Sequence, residues 1–161
     1  MVYGAINANG QRWYTQMSQI LDAIHNQQLE YNWLLTDLDG VPQTIEACRT
    51  EQGYCWLTGE ELTRMVRADD GQWIWAVLSG FDPSISLSEI LQYPLPYAQE
   101  YEDFWKTPLS IQHPLAAIEI IPWDSSLTLF FSKRADLVED FRQFFPLSED
   151  LLMYCSRQHA P

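Results

Sequence analysis

Basic residues are scarce in this chain: 9 Lys plus Arg stand against 22 Asp plus Glu in 161 residues, a formal charge of −13. A nucleic-acid binder must neutralise phosphates with a basic patch, and an anionic membrane surface likewise attracts basic clusters. The charge balance argues against both. Cysteine is scarce too. With three of them, at least one cannot pair within the chain, which favours a reducing compartment and an expected cytoplasmic location. Apolar runs are short: none reaches the roughly 18–20 residues that a membrane-crossing helix needs, and no basic region leads into a hydrophobic run at the N-terminus. Catalytic signatures are also missing. There is no G-x-S-x-G elbow, no P-loop, no dinucleotide fingerprint and no EF-hand loop. His25, His113 and His159 have no nucleophile beside them in sequence. No cofactor is expected.

What is present describes a globular chain. Hydrophobic residues make up 47% and charged residues 19%, the balance of a packed domain and not of a disordered one. A chain of this length buries about two-thirds of its unfolded surface and needs no disulfide or metal to fold. No repeat, low-complexity tract or long linker divides it, so residues 1–161 read as a single domain.

Trp13, Met17, Ile20, Leu21 and Ile24 recur at helical spacing and predict an amphipathic helix over about 11–28. Tyr31 to Thr36 reads as a strand closed by the turn-forming Asp39-Gly40. Two short strands follow, over Thr44–Cys48 and Tyr54–Leu57, around a Thr50–Gly53 turn. Thr58 and Glu61 have capping-box spacing, and Leu62, Met65 and Val66 supply the buried face of the helix they start. Trp73 to Leu78 is an unbroken apolar run and predicts a central strand covered on both faces. Residues 81–114 are cut into short pieces by Pro83, Pro94, Pro96, Pro108 and Pro114, with a turn of helix after Ser88. Residues 115–132 form a hairpin turning at Asp124-Ser125-Ser126, with Pro122 at a strand end or edge. Ser132 is the expected N-cap of a helix that buries Leu137, Val138, Phe141, Phe144 and Phe145, and Ser148 the cap of a last one. Consecutive strands with tight turns favour an α+β fold, an antiparallel or mixed sheet with helices packed mainly on one side.

Three groups of residues carry chemical interest. Tyr97, Glu100, Tyr101, Glu102, Asp103, Phe104 and Trp105 interleave aromatics with acids, and Trp123-Asp124 extends the theme at the hairpin tip. Tyr97, Tyr101, Phe104 and Trp105 would share one helical face. Aromatics supply contact area and carboxylates steer and pair, so the pattern suits another protein with basic side chains. The same rings would equally cover one end of the core. Cys48, Cys55, Cys155 and His159 are the types that hold zinc, although Cys48-x6-Cys55 is wider than the usual knuckle. Small buried hydrophobic cysteines are the alternative. A small-ligand pocket beneath 81–114 is a further expectation.

The third group is Trp33–Val41, WLLTDLDGV, a strand delivering D-x-D-G. It resembles the first motif of haloacid-dehalogenase-like phosphohydrolases. That resemblance implies a Mg²⁺-dependent enzyme in which Asp37 attacks phosphorus and Asp39 protonates the leaving group. Ser79 would take the second motif, Lys133 the basic position, and Asp136 or Asp140 the metal-binding acids. Such an enzyme needs Asp37 at the carboxyl end of a central parallel strand. The alternative reading of Asp37–Gly40 is a solvated turn, since Asp and Gly are what such turns require.

EIIPWDSSLTLFFSKRADLVEDFRQFFPLSEDLLMY, with its W-D-S-S hairpin and P-L-S-E-D-L step, is similar to a family of small bacterial proteins of uncharacterised function. The resemblance extends to YNWLLTD and implies a bacterial cytosolic protein, without an activity. In size and charge the chain also resembles bacterial toxin-immunity proteins, which neutralise basic nucleases with acidic surfaces. The resulting expectation is a non-enzymatic interaction module, an inhibitor or immunity-like protein, with the phosphohydrolase and the small-ligand binder as alternatives.

Overall fold

The structure, a computed structural model, describes residues 1–158. One sheet organises it. Its strands are β1 (Tyr3–Asn7), β2 (Asn32–Asp39), β3 (Cys55–Thr58), β4 (Trp75–Phe81), β5 (Ile118–Trp123), β6 (Leu127–Ser132) and β7 (Glu149–Asp150). They lie in the order β3-β2-β4-β5-β6-β1-β7, and every neighbouring pair is antiparallel. The α+β class with an antiparallel sheet is therefore as expected. β4 is central, with β2 and β5 as neighbours, and all but its first residue is buried.

Alternation decides which side chain faces which layer. Trp33 and Leu35 of β2, Ala76 and Leu78 of β4, Ile118 and Ile120 of β5, and Phe130 of β6 point to one face. Three helices cover that face: α1 (Met17–Ala23), α3 (Gly59–Ala68) and α5 (Ala135–Phe144). They bring Ile20, Leu21, Leu62, Val66, Leu137 and Phe141 to it. Phe141 stacks on Phe130 at 4.9 Å with the planes 5° apart. The capping box of α3 forms as expected: Thr58 Oγ1 accepts from Glu61 N at 3.1 Å, and Glu61 accepts from Thr58 N at 3.0 Å. Gly59 at its first position has no room for a side chain, since a Cβ there would lie 2.3 Å from the Gln28 carbonyl oxygen.

The opposite face is covered differently. Leu34, Val77, Phe81, Ile121, Leu129 and Phe131 point to it. Over them run the proline-rich segment 82–117 and the last helix, α6 (Leu151–Gln158). The segment contains one helical turn, α4 (Leu87–Ile90), capped by Ser86 and Glu89, and a 3-10 turn, Glu102–Trp105. His113 ties it down internally. Its ring nitrogens meet the Ile90 carbonyl at 2.9 Å and the Leu115 N–H at 3.1 Å, between Phe81 and Tyr93.

Several expectations are corrected. The first helix is shorter than 11–28: an isolated bridge between Gln16 and Gln72 holds the chain extended before it, and left-handed His25 and Asn26 end it. Trp13 is exposed and takes no part in the core. Thr44–Cys48 is not a strand. Gln43–Glu46 is one helical turn (α2), whose first carbonyl, that of Pro42, accepts from Ile45 N and Glu46 N. Asp39-Gly40 leads into that turn and closes no hairpin. Pro122 stands inside a strand with neighbours on both sides, where the ladder to β4 steps from Trp75↔Trp123 to Leu78↔Ile120. Ser132 accepts from Arg134 N at 3.0 Å and holds the approach to α5, which starts at Ala135. Phe144 is exposed, turned away from the face it was expected to share. Ser148 donates to the Phe145 carbonyl, and Glu149–Asp150 pair with β1, so the cap of α6 is Asp150, which accepts from Met153 N at 3.0 Å. β1 itself has no counterpart in the sequence expectations.

Candidate functional site

The ends of β2, β4 and the β5–β6 hairpin meet at one end of the sheet. Asp39 pairs with Trp75, and Trp75 with Trp123. The hairpin turns through Asp124 and Ser125, both left-handed, and Ser125 N reaches the Ile74 carbonyl. Two left-handed residues at the tip match the twist of the flanking strands.

Asp37 joins a second element to this end. It sits at φ +49°, where the β2–β4 register shifts, an irregularity that turns its side chain out of the ladder. Its carboxylate accepts from Ala98 N at 2.8 Å, Gln99 N at 3.0 Å and Gln99 Nε2 at 3.2 Å. Residues 97–112 thereby cross the sheet as a strap. At its far end Gln112 bonds back to Tyr97, donating to its carbonyl at 2.9 Å and accepting from its N–H at 3.0 Å.

The strap carries most of the aromatic and acidic residues singled out above. Tyr97 through Trp105 is a turn followed by the 3-10 segment, not a helix with one apolar face. The rings still converge. Tyr97 meets Tyr101 at 5.1 Å, and Tyr101 meets Phe104 at 4.6 Å. Trp105 reaches the hairpin and packs perpendicular to Trp123 at 5.9 Å, while Trp123 packs on Trp75 at 5.1 Å. Tyr154 of α6 closes the group 6.1 Å from Trp105. Trp105, Trp123, Leu127, Tyr154, Cys155 and Gln158 line an apolar cleft of about 290 Å³.

Acids flank these rings along the chain. Glu100, Glu102, Asp103 and Asp124 are exposed, as is Asp39 beside Trp75, and Asp37 is half-buried. Lys106 pairs with Asp103 at 2.6 Å. The core covers Phe104 fully, whereas Tyr97 keeps 49% of its surface and Tyr101, Trp105 and Trp123 remain half-buried. The rings thus serve both as cover for the core and as surface.

Sequence reasoning missed Trp75, Leu127 and Tyr154, which lie in apolar runs or the last helix. It also missed Glu119. This carboxyl is fully buried on the strap-covered face, directly opposite Ser79. Its signal was visible: one acid within LAAIEIIPW, in the alternation phase of Ile121 and Trp123. Gln112 N donates to Glu119 Oε2 at 3.1 Å, while Glu119 Oε1 and Ser79 Oγ have no hydrogen-bond partner. Burial pushes the acid up to about 8, against a smaller opposing effect of the Gln112 N–H.

The phosphohydrolase constellation is not brought together. β2 runs antiparallel to both neighbours, so Asp37 does not end a parallel strand. Its oxygens are engaged by the strap. Asp39 lies in solvent and Ser79 is buried beneath the strap. Lys133 is exposed, Asp136 pairs with Arg134 at 2.7 Å, and Asp140 lies 3.8 Å from His25. The cysteines do not converge either. Cys55 packs in the helix-covered core with Cys48 against it, whereas Cys155 belongs to α6 and packs on the opposite face. All three are free thiols, and His159 lies outside the described residues. Among the described residues no group of three or more His, Cys, Asp or Glu is placed to hold a metal ion. No helix among them is long and apolar enough to cross a membrane.

Comparison with known proteins returns no match to this chain among family models, curated proteins or solved structures.

Proposed function

We propose that this protein is a non-enzymatic interaction module, an inhibitor or immunity-like protein, that receives a basic segment of another protein at the strap end of its sheet. The observation that carries the reading is the convergence of Trp105, Trp123 and Tyr154 on one cleft, with Trp75 packed behind Trp123 and exposed acids next to Trp105 and Trp123 along the chain. Such an arrangement suits an Arg- or Lys-rich partner. The rings offer desolvated contact area and cation–π faces, and the carboxylates raise the encounter rate. A net charge of −13 adds long-range attraction for such a partner and repels acidic ones. A cytoplasmic setting would keep Cys48, Cys55 and Cys155 reduced.

The test is direct titration with a panel of basic and acidic peptides, read by tryptophan emission, at low and at high salt. Basic peptides should bind at low salt and weaken as salt rises. Trp105→Ala should lose binding at least tenfold while the fold is retained. Equal affinity for acidic and basic peptides, or an unchanged Trp105→Ala, would remove the reading. A second reading, a small apolar ligand in the same cleft, is favoured by its lining; at about 290 Å³ the cleft lies at the lower end of ligand-pocket sizes. It predicts binding without salt dependence.

A further inference from the structure

Glu119 occupies an unusual place for an acid. It stands mid-strand in β5, wholly buried, with Ser79 of β4 opposite and Phe131 of β6 on its other side. The strap fastens to it through the Gln112 N–H. No cation faces it from β4, β6 or the strap among the described residues: the contributors to its ionisation are burial and the Gln112 N–H. Tyr101 is the titratable group on the strap side, and its hydroxyl is pushed up to about 12, chiefly by burial, then by Asp103 and Glu119. It stays neutral across the physiological range.

An ionised carboxylate here would be a buried charge held by a single backbone N–H, an expensive state in a low-dielectric site. The protonated acid is different. Neutral, it carries no such penalty, and its Oε2 still accepts from Gln112 N. Gln112 is also the residue that closes the strap on itself through both polar groups of Tyr97. A change at Glu119 is therefore felt where the strap is fastened.

We propose that Glu119 is a proton-operated latch on the 97–112 strap, closed when the carboxyl is protonated and released when it ionises. Release would loosen Tyr97 to Trp105 and so weaken the acidic aromatic surface. That consequence rests on the binding reading above, whereas the latch itself does not. The sign follows from linkage. The closed state raises this acid above its ordinary value of 4.5 to about 8, so the closed state binds the extra proton. Closure is fully favoured below about 4.5 and is lost as pH rises through 8, with the opening constant growing by up to about tenfold per pH unit between those limits.

Amide hydrogen exchange on the full chain between pH 5.5 and 8 tests this. Intrinsic exchange rises about tenfold per pH unit, so an amide whose opening is pH-independent gives a logarithmic slope of about one. Strap amides released with Glu119 ionisation should approach a slope of about two. Amides of α3, on the other face, serve as the internal control at about one. Glu119→Gln, which keeps the shape and cannot ionise, should bring the strap back to about one. A strap slope of one in the unaltered protein overturns the latch, even if Glu119→Gln fails to fold, and so does a steep strap in a folded Glu119→Gln. If strap exchange steepens while the affinity for a bound basic peptide stays constant from pH 6 to 8, the latch stands and the binding reading falls.

Discussion

On one face of the sheet, α1, α3 and α5 bury aliphatic and aromatic side chains against Trp33, Leu35, Leu78 and Phe130. On the other face an irregular strap does the same work with Ala98, Phe104, Tyr101 and Trp105, over a surface that includes a buried acid and an unpartnered hydroxyl. Helices satisfy their own backbone, so their contribution to a core is nearly all side-chain packing. A strap must find partners for its backbone elsewhere, and here it finds them in Asp37 and Glu119. The helical face is accordingly expected to carry the global stability. The strap face is held by a few polar fastenings and is expected to open first.

Truncating an equivalent ring on each face sharpens this contrast most. Phe141→Ala removes the partner stacked on Phe130 and leaves a cavity between a rigid helix and a central sheet. It should cost about 3–5 kcal/mol and lower the denaturant midpoint with the transition still cooperative. Phe104→Ala removes an equally buried ring from the strap. Its cost to global unfolding should be clearly smaller, because the strap can loosen locally, with lost protection confined to residues 97–112. Equal midpoint shifts for the two variants would show that the strap belongs to the same cooperative unit as the helices.

The fastenings come next in size. Asp37→Asn keeps an acceptor oxygen and the tolerance for a left-handed backbone but removes the charge that three donors share. A loss of about 1–2 kcal/mol is expected, seen as faster exchange of strap amides with little change in α3. Its counterpart on the other face is Thr58→Ala, which removes the hydroxyl from the capping box of α3. About 1 kcal/mol should be lost, and exchange should rise in the first turn of α3 and not in the strap. Cross-talk between the two variants, measured as non-additive stability in the double mutant, would argue against separate faces.

The same division decides what could be read from the sequence. Periodicity reports a regular face, so the α3 capping box, the central strand at Trp75–Phe81 and the 118–132 hairpin were legible from their residues. Helix boundaries were not, because His25, Asn26 and Ser132 act through backbone geometry that composition does not carry. β1 escaped notice because YGAIN is short, and its strand character comes from β6 beside it. Within the candidate site, Tyr97–Trp105 and Trp123 could be named as an acidic aromatic group. Their meeting with Trp75 and Tyr154 is a product of long-range pairing, which local sequence does not encode. Asp37 shows the limit most clearly. Its D-x-D-G setting suggested a nucleophile or a solvated turn, and the structure gives it a third role, as the acceptor that anchors a segment some 60 residues away.

The smallest effect on stability should come from the acids of the strap, and it separates surface from scaffold. Glu100 and Glu102 are exposed, and Asp103 holds the equally exposed Lys106. Exposed pairs of this kind add little to folding, since solvent screens them and ordering two flexible side chains opposes the gain. The triple variant Glu100→Lys, Glu102→Lys, Asp103→Lys should therefore unfold at an unchanged midpoint. Its encounter with a basic peptide should change sharply: three charges reverse locally, a net change of six units, and the association rate at low salt should fall at least tenfold while dissociation moves less. The difference should shrink as salt shortens the screening length below the spacing of the charges. A variant that unfolds early would place these acids among the strap's fastenings. One that keeps both its midpoint and its association rate would leave the aromatic cleft, without its charged rim, as the binding feature of this end of the sheet.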